Sequence, residues 1–66
     1  MKTAYSISIV QFGKDGEVTS RGPAETYRSR EEGADEVRSY ITYDDRFGID
    51  IQQVQVSDAA WKRLRK

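Results

Sequence analysis

The apolar positions of the chain change period along its length, and each change marks an element. Over residues 4–12, AYSISIVQF, they alternate. Tyr5, Ile7 and Ile9 fall on one side; Ala4, Ser6, Ser8, Val10 and Phe12 fall on the other. Alternation among β-branched and aromatic residues predicts a strand, because successive side chains of extended backbone point to opposite faces. The second side turns apolar at Val10 and Phe12, so that end is expected to be covered on both faces. Gly13-Lys14-Asp15-Gly16 predicts a hairpin turn, with Asp-Gly supplying the positive φ that the reversal needs. A second strand is expected from Glu17 to about Ser20. Arg21-Gly22-Pro23 then breaks it, or bulges it if it lies on an edge. Residues 24–28 either resume that edge strand, which is the preferred reading, or loop into the next element.

The period then becomes helical. In residues 29–47, SREEGADEVRSYITYDDRF, Ala34, Val37 and Ile41 recur at i, i+3 and i+7, with Tyr40 on the same side. Ser29 and Glu32 have the spacing of a capping box. Phe47-Gly48 is a stop signal, since glycine can take the left-handed conformation past a last turn. Asp44 and Asp45 oppose the dipole at that end, so regular helix is expected to fade around Tyr43 or Asp44. Gly33 weakens the second turn and suggests a close approach to a strand.

Alternation returns in IDIQQVQV, but its phase flips. Ile49 and Ile51 share one face, while Val54 and Val56 share the other. This predicts either a bulge at Gln52-Gln53 or a strand covered on different faces at its two ends. Ser57-Asp58 reads as the start of a short helix that packs back through Trp61 and Leu64. The expected fold is a small single α+β domain of β-β-α-β-α order. It has a three-stranded antiparallel sheet in the order 2-1-3, one main helix on one face and a short C-terminal helix.

Composition narrows the function more than the fold. Leu, Ile, Val and Phe make up just under a fifth of the 66 residues, which implies a thin core and marginal stability. A homodimer, or a partner covering an apolar face, is a reasonable expectation for such a chain. There is no Cys and no His, which removes disulfides, thiol chemistry and ordinary zinc sites. No apolar run reaches membrane-spanning length, and the first strand is a poor signal peptide, so a cytoplasmic protein is expected. Asp44 to Asp50 lacks the oxygen spacing of a calcium loop. Paired carboxylates without a pocket do not make acid–base machinery, so neither an enzyme nor a cofactor is expected.

The net charge of zero hides an asymmetry. Residues 1–30 sum to +2, residues 31–58 to −6 and residues 59–66 to +4. Glu31, Glu32, Asp35 and Glu36 crowd the outer face of the main helix, with Asp44, Asp45 and Asp50 further on. The simpler account is that acids near a helix N-terminus complement its dipole. The sharper one is a negative face that docks on the basic, nucleic-acid-handling surface of a larger protein. Under that reading the contact residues are Glu31, Glu32, Asp35, Glu36, Tyr43, Asp44 and Asp45. The chain would be a compact inhibitor, of the kind a bacteriophage could direct at a host defence complex.

Of the tyrosines, Tyr5 and Tyr40 are expected in the core, and Tyr27 and Tyr43 at an interface. The alternative function is nucleic-acid binding by the basic end, with Lys62, Arg63, Arg65 and Lys66 on phosphates, Trp61 stacked on a base, and Arg21, Arg28 and Arg30 in support. Against it, cations suit a helix C-terminus and Trp61 suits a core.

Overall fold

The alternating first segment is the spine of the molecule. In the computed structural model, which describes residues 1–41 and 45–64, the elements are β1 (Lys2–Phe12), β2 (Val18–Arg21), β3 (Glu25–Tyr27), α1 (Arg30–Arg38), β4 (Phe47–Val56) and α2 (Asp58–Arg63). The α+β class and the element order are as expected. Residues 24–28 do resume the edge strand, as β3.

β1 pairs with every other strand, always antiparallel. β4 runs along it without interruption, from Lys2 opposite Val56 to Gln11 opposite Phe47. β2 pairs with Val10 to Phe12 and β3 with Tyr5 to Ile7. A strand has two edges and β4 fills one, so β2 and β3 share the other. Pro23 has no N–H to donate, and the arm leaves the ladder there. It stays tethered because the Gly22 N–H donates to the Ile9 carbonyl at 2.8 Å. The expected order, hairpin arm, central strand, C-terminal strand, is therefore present, with the arm split in two. At the hairpin, Gly16 has φ +83°, and Asp15 Oδ1 accepts from the Glu17 N–H at 3.3 Å.

α1 begins where the sequence places it, with the Ser29 hydroxyl accepting from the Glu32 N–H at 3.3 Å. Glu32 makes no return bond to Ser29 among the described residues, so only half of the capping box forms. The expected helix end is wrong. α1 stops at Arg38 rather than near Tyr43, and Tyr43 and Asp44 lie outside the described residues. The Ser39 hydroxyl donates back to the Glu36 carbonyl, and the Tyr40 and Ile41 N–H groups reach only three residues back, to Val37 and Arg38. A hydroxyl competing for backbone carbonyls tightens and ends a helix, and the following aromatic and β-branched run does not favour its renewal. Gly48 is not a cap. It is a β4 residue without positive φ, lying under the Phe12 ring.

The core lies between α1 and one sheet face. Ile7, Tyr27 and Val37 form its centre, and Tyr5, Ile9, Ile49 and Ile51 pack around them. Burying side chains of this size contributes about 1.5–3 kcal/mol each. Gly33 makes the approach possible. A Cβ there would lie 2.7 Å from both Ile7 Cδ1 and Tyr27 Cγ. Tyr27 is therefore a core residue, 1% exposed, and not the surface residue expected from its polarity. Its hydroxyl donates to Glu25 Oε2 at 2.8 Å, which removes the cost of burying it.

The phase flip in β4 now has a cause. Its register on β1 contains no bulge. Opposite partners share a face, so Ile49 and Ile51 lie with Ile9 and Ile7 on the α1 side, and Val54 lies with Ala4 on the other. Ala4 is fully buried although it faces away from α1. Its cover is α2, which packs on β1. Ser57 caps α2 by accepting from the Ala60 N–H at 3.1 Å, as its sequence predicts. The strand is covered on different faces at its two ends.

Candidate protein-binding surface

The outer side of α1 carries the acidic residues singled out in the sequence. Glu31, Glu32 and Asp35 are exposed, while Glu36 is half-buried. Arg38 approaches Asp35 at 3.8 Å, but both side chains are mostly in water. Such a pair contributes roughly a few tenths of a kcal/mol and leaves the acids available. Ser29 and the helix N-terminus hold Glu31 and Glu32 in the first turn, where negative charge complements the dipole.

Tyr40 joins this surface because α1 ends early. Expected in the core, it is 67% exposed. Continued helix would have carried its ring over the sheet; the tightened turn after Arg38 carries it outward. Together with Pro23, Glu25, Tyr27, Val37 and Ile9 it lines an open, largely apolar cleft of about 210 Å3. The far side of Tyr40 continues into a second concavity with Ile41 and Phe47. An exposed aromatic beside an apolar floor is the composition expected at the centre of a protein-binding patch; the one acid that lines the cleft is Glu25, while Glu31, Glu32 and Asp35 lie on the outer side of α1. Sequence reasoning missed the contribution of Pro23. The signal was there, since a proline that interrupts an edge strand leaves that edge open beside the helix.

The other acids divide. Asp45 is exposed in the turn before β4. Asp50 does not belong to the acidic face. It pairs with Ser8 on the side away from α1, where Arg21 binds it and also donates to Ser8 Oγ at 3.2 Å. This strap reaches from β2 across β1 to β4. It also explains how Ser8 is buried, at 3% exposure, with its hydroxyl satisfied.

The basic end is organised by Arg28, which the sequence marks only as a supporting residue alongside Arg21 and Arg30. Arg28 donates through Nε to the Trp61 carbonyl at 2.9 Å and through a terminal nitrogen to the Lys62 carbonyl at 3.1 Å. Its guanidinium also lies 5.4 Å from the centre of the Trp61 ring. It therefore satisfies the last carbonyls of α2 and stacks on the helix at once. Arg28 follows Tyr27, which faces α1, so it reaches α2 on the opposite side of the sheet. The acidic helix and the basic helix are separated by the sheet. Trp61 is half-buried beneath Arg28; Lys62 and Arg63 are exposed; Arg65 and Lys66 lie outside the described residues. A base stacking on Trp61 would have to displace Arg28.

Among the described residues no group of three or more carboxylates is placed to hold a metal ion, and no helix is long and apolar enough to cross a membrane. Comparison of the chain with protein-family models, with curated proteins and with solved structures finds no match.

Proposed function

We propose that this protein is a non-enzymatic binding module whose contact surface is the acidic side of α1 together with the Tyr40 cleft. The single observation that carries this reading is that α1, which bears three exposed carboxylates, Glu31, Glu32 and Asp35, is followed directly by an exposed tyrosine, Tyr40, that lines an apolar cleft. Carboxylates of one sign steer encounter with a basic surface, and the aromatic supplies the desolvated anchor that charge alone lacks. The partner class is a larger protein with a basic, nucleic-acid-handling surface. The mechanism is occlusion, with the domain occupying the site that phosphates would otherwise fill. Segregation of charge supports this orientation, because the cations of α2 lie behind the sheet and do not neutralise the acidic side.

The test compares proteins captured from host lysate by the wild-type chain and by two variants, Glu31→Lys/Glu32→Lys/Asp35→Lys and Tyr40→Ala. A captured protein lost from both variants, and whose nucleic-acid binding the wild-type chain inhibits, supports the reading. Recovery of the same proteins by all three chains, with unchanged circular dichroism, sinks it.

A further inference from the structure

The acid inside the Tyr40 cleft, Glu25, sits in apolar company. It stands opposite Ile7 in the β1–β3 ladder, so it lies on the α1 side of the sheet. Its Oε2 accepts from the Tyr27 hydroxyl at 2.8 Å, and among the described residues no cation pairs with it. A carboxylate that takes one hydrogen bond keeps acceptor capacity on both oxygens. Ile9, Pro23 and Val37 line the same cleft, as does Tyr40, which is 67% exposed. One concavity therefore combines an apolar wall, an open aromatic ring and a carboxylate whose charge is unanswered.

We infer that this cleft receives one arginine side chain of the partner protein, its stem on the apolar wall and its guanidinium on the Glu25 carboxylate and against the Tyr40 ring. Size and charge select this occupant. Pockets for small molecules run to about 300–1,000 Å3, whereas this open cleft of about 210 Å3 suits one long side chain. A wholly apolar side chain would strip water from the Glu25 carboxylate and give nothing back. An acid would meet Glu25 itself and find little to donate to it, since the Gly22 N–H is spent on the Ile9 carbonyl and Pro23 has none. A guanidinium answers the carboxylate with a planar fork and lies flat on an aromatic ring, which a compact, strongly hydrated ammonium does not. That a protein supplies the arginine rests on the function proposed above; the preference of the cleft for that side chain does not.

The experiment is an NMR titration of the full chain with acetyl-Gly-Arg-Gly-amide, and with the same peptide carrying citrulline, norleucine or lysine in place of arginine. Citrulline keeps the shape of arginine without its charge, and norleucine keeps only the stem. The arginine peptide is expected to shift the amides of Gly22, Glu25, Val37 and Tyr40 saturably and to bind several-fold more tightly than the other three. Glu25→Gln keeps an acceptor for the Tyr27 hydroxyl but loses the charge, and lowers arginine binding to the citrulline level. Tyr40→Ala weakens it several-fold, while Glu31→Lys/Glu32→Lys/Asp35→Lys leaves the preference for arginine over citrulline in place. The spectrum of each variant shows that it is folded. Equal binding of the arginine and citrulline peptides, or tighter binding of norleucine, overturns the inference. So does a preference that survives Glu25→Gln and disappears in the triple variant, since the cation would then be held by α1. A lysine peptide that binds as tightly as arginine overturns the choice of side chain. No arginine preference, in a chain that still captures and inhibits a partner, sinks this inference alone. An arginine preference with no captured partner supports it and sinks the function proposed above.

Discussion

On the α1 side of the sheet, a helix backbone rests directly on Ile7 and Tyr27 because Gly33 has no side chain. On the opposite side, Arg21 bridges Ser8 and Asp50, and Arg28 holds α2 by its terminal carbonyls. The first side is held by close packing of apolar groups, the second by long basic side chains that each bind two groups at once. This difference follows from how little apolar residue the chain has. One face receives most of the isoleucines, and the other closes with arginines whose aliphatic stems cover the sheet while their guanidinium groups satisfy it. The elongated shape, 41 by 19 by 15 Å, shows the same economy, since one long two-stranded ribbon carries both layers.

The comparison makes graded predictions. The largest effect belongs to the packed side. Ile7→Ala is expected to cost about 2–5 kcal/mol through lost transfer energy and a cavity. In a domain this small, that leaves little or no folded protein by circular dichroism at room temperature.

Gly33→Ala comes next and tests the close approach by its sign. On an open helix surface the change would stabilise by about 0.5–1 kcal/mol. Here Tyr27 Cγ is the root of a buried ring that cannot swing aside, so a loss of about 1–3 kcal/mol is expected in the denaturation midpoint. A stabilised Gly33→Ala would show that α1 does not sit this close.

Arg28→Ala tests the other side. It removes two hydrogen bonds and the stacking on Trp61, and is expected to cost about 1 kcal/mol. Hydrogen exchange at the α2 amides should rise more than at β1, and Trp61 fluorescence should change. Uniform exchange through the chain would mean that α2 is held by something else.

The smallest effect is that of Arg21→Ala. An exposed ion pair of this kind contributes about 0.2–1 kcal/mol and weakens in salt. The difference from wild type should therefore narrow between low and high salt, whereas that of Ile7→Ala should not. Charge reversal at Glu31, Glu32 and Asp35 is expected to remove binding while costing about 1 kcal/mol, since Glu31 and Glu32 complement the dipole of α1.

The elements that the sequence marked well are those with local signals. The alternation in β1, the Asp15-Gly16 turn and the Ser29 and Ser57 caps depend on residues within four positions of one another. The errors share one origin. The stop signal at Gly48 and the acids Asp44 and Asp45 set the expected end of α1 near Tyr43 or Asp44, while Ser39 and the aromatic and β-branched residues after it had already ended the helix. Tyr40 and Tyr27 then exchanged places, because the side a tyrosine takes depends on where the helix stops and on how deeply Gly33 lets it settle. Of the candidate surface, Glu31, Glu32 and Asp35 were legible from charge and spacing. The cleft beside Tyr40 was not, since it joins residues from β1, the break at Pro23, β3 and the end of α1.

The sequence by itself determined which segments become strand and which helix, the Asp15-Gly16 turn, the Ser29 and Ser57 helix starts and the antiparallel order of the sheet, because these follow from backbone preferences and from the two periods of side-chain direction. Only the tertiary structure decided which face of β4 is covered at each end, that Asp50 answers Arg21 and lies apart from the acidic helix, and that Arg28 closes α2. Those outcomes depend on residues brought together from distant parts of the chain, whose meeting is set by the register of β1 with its neighbours and by the length at which α1 stops.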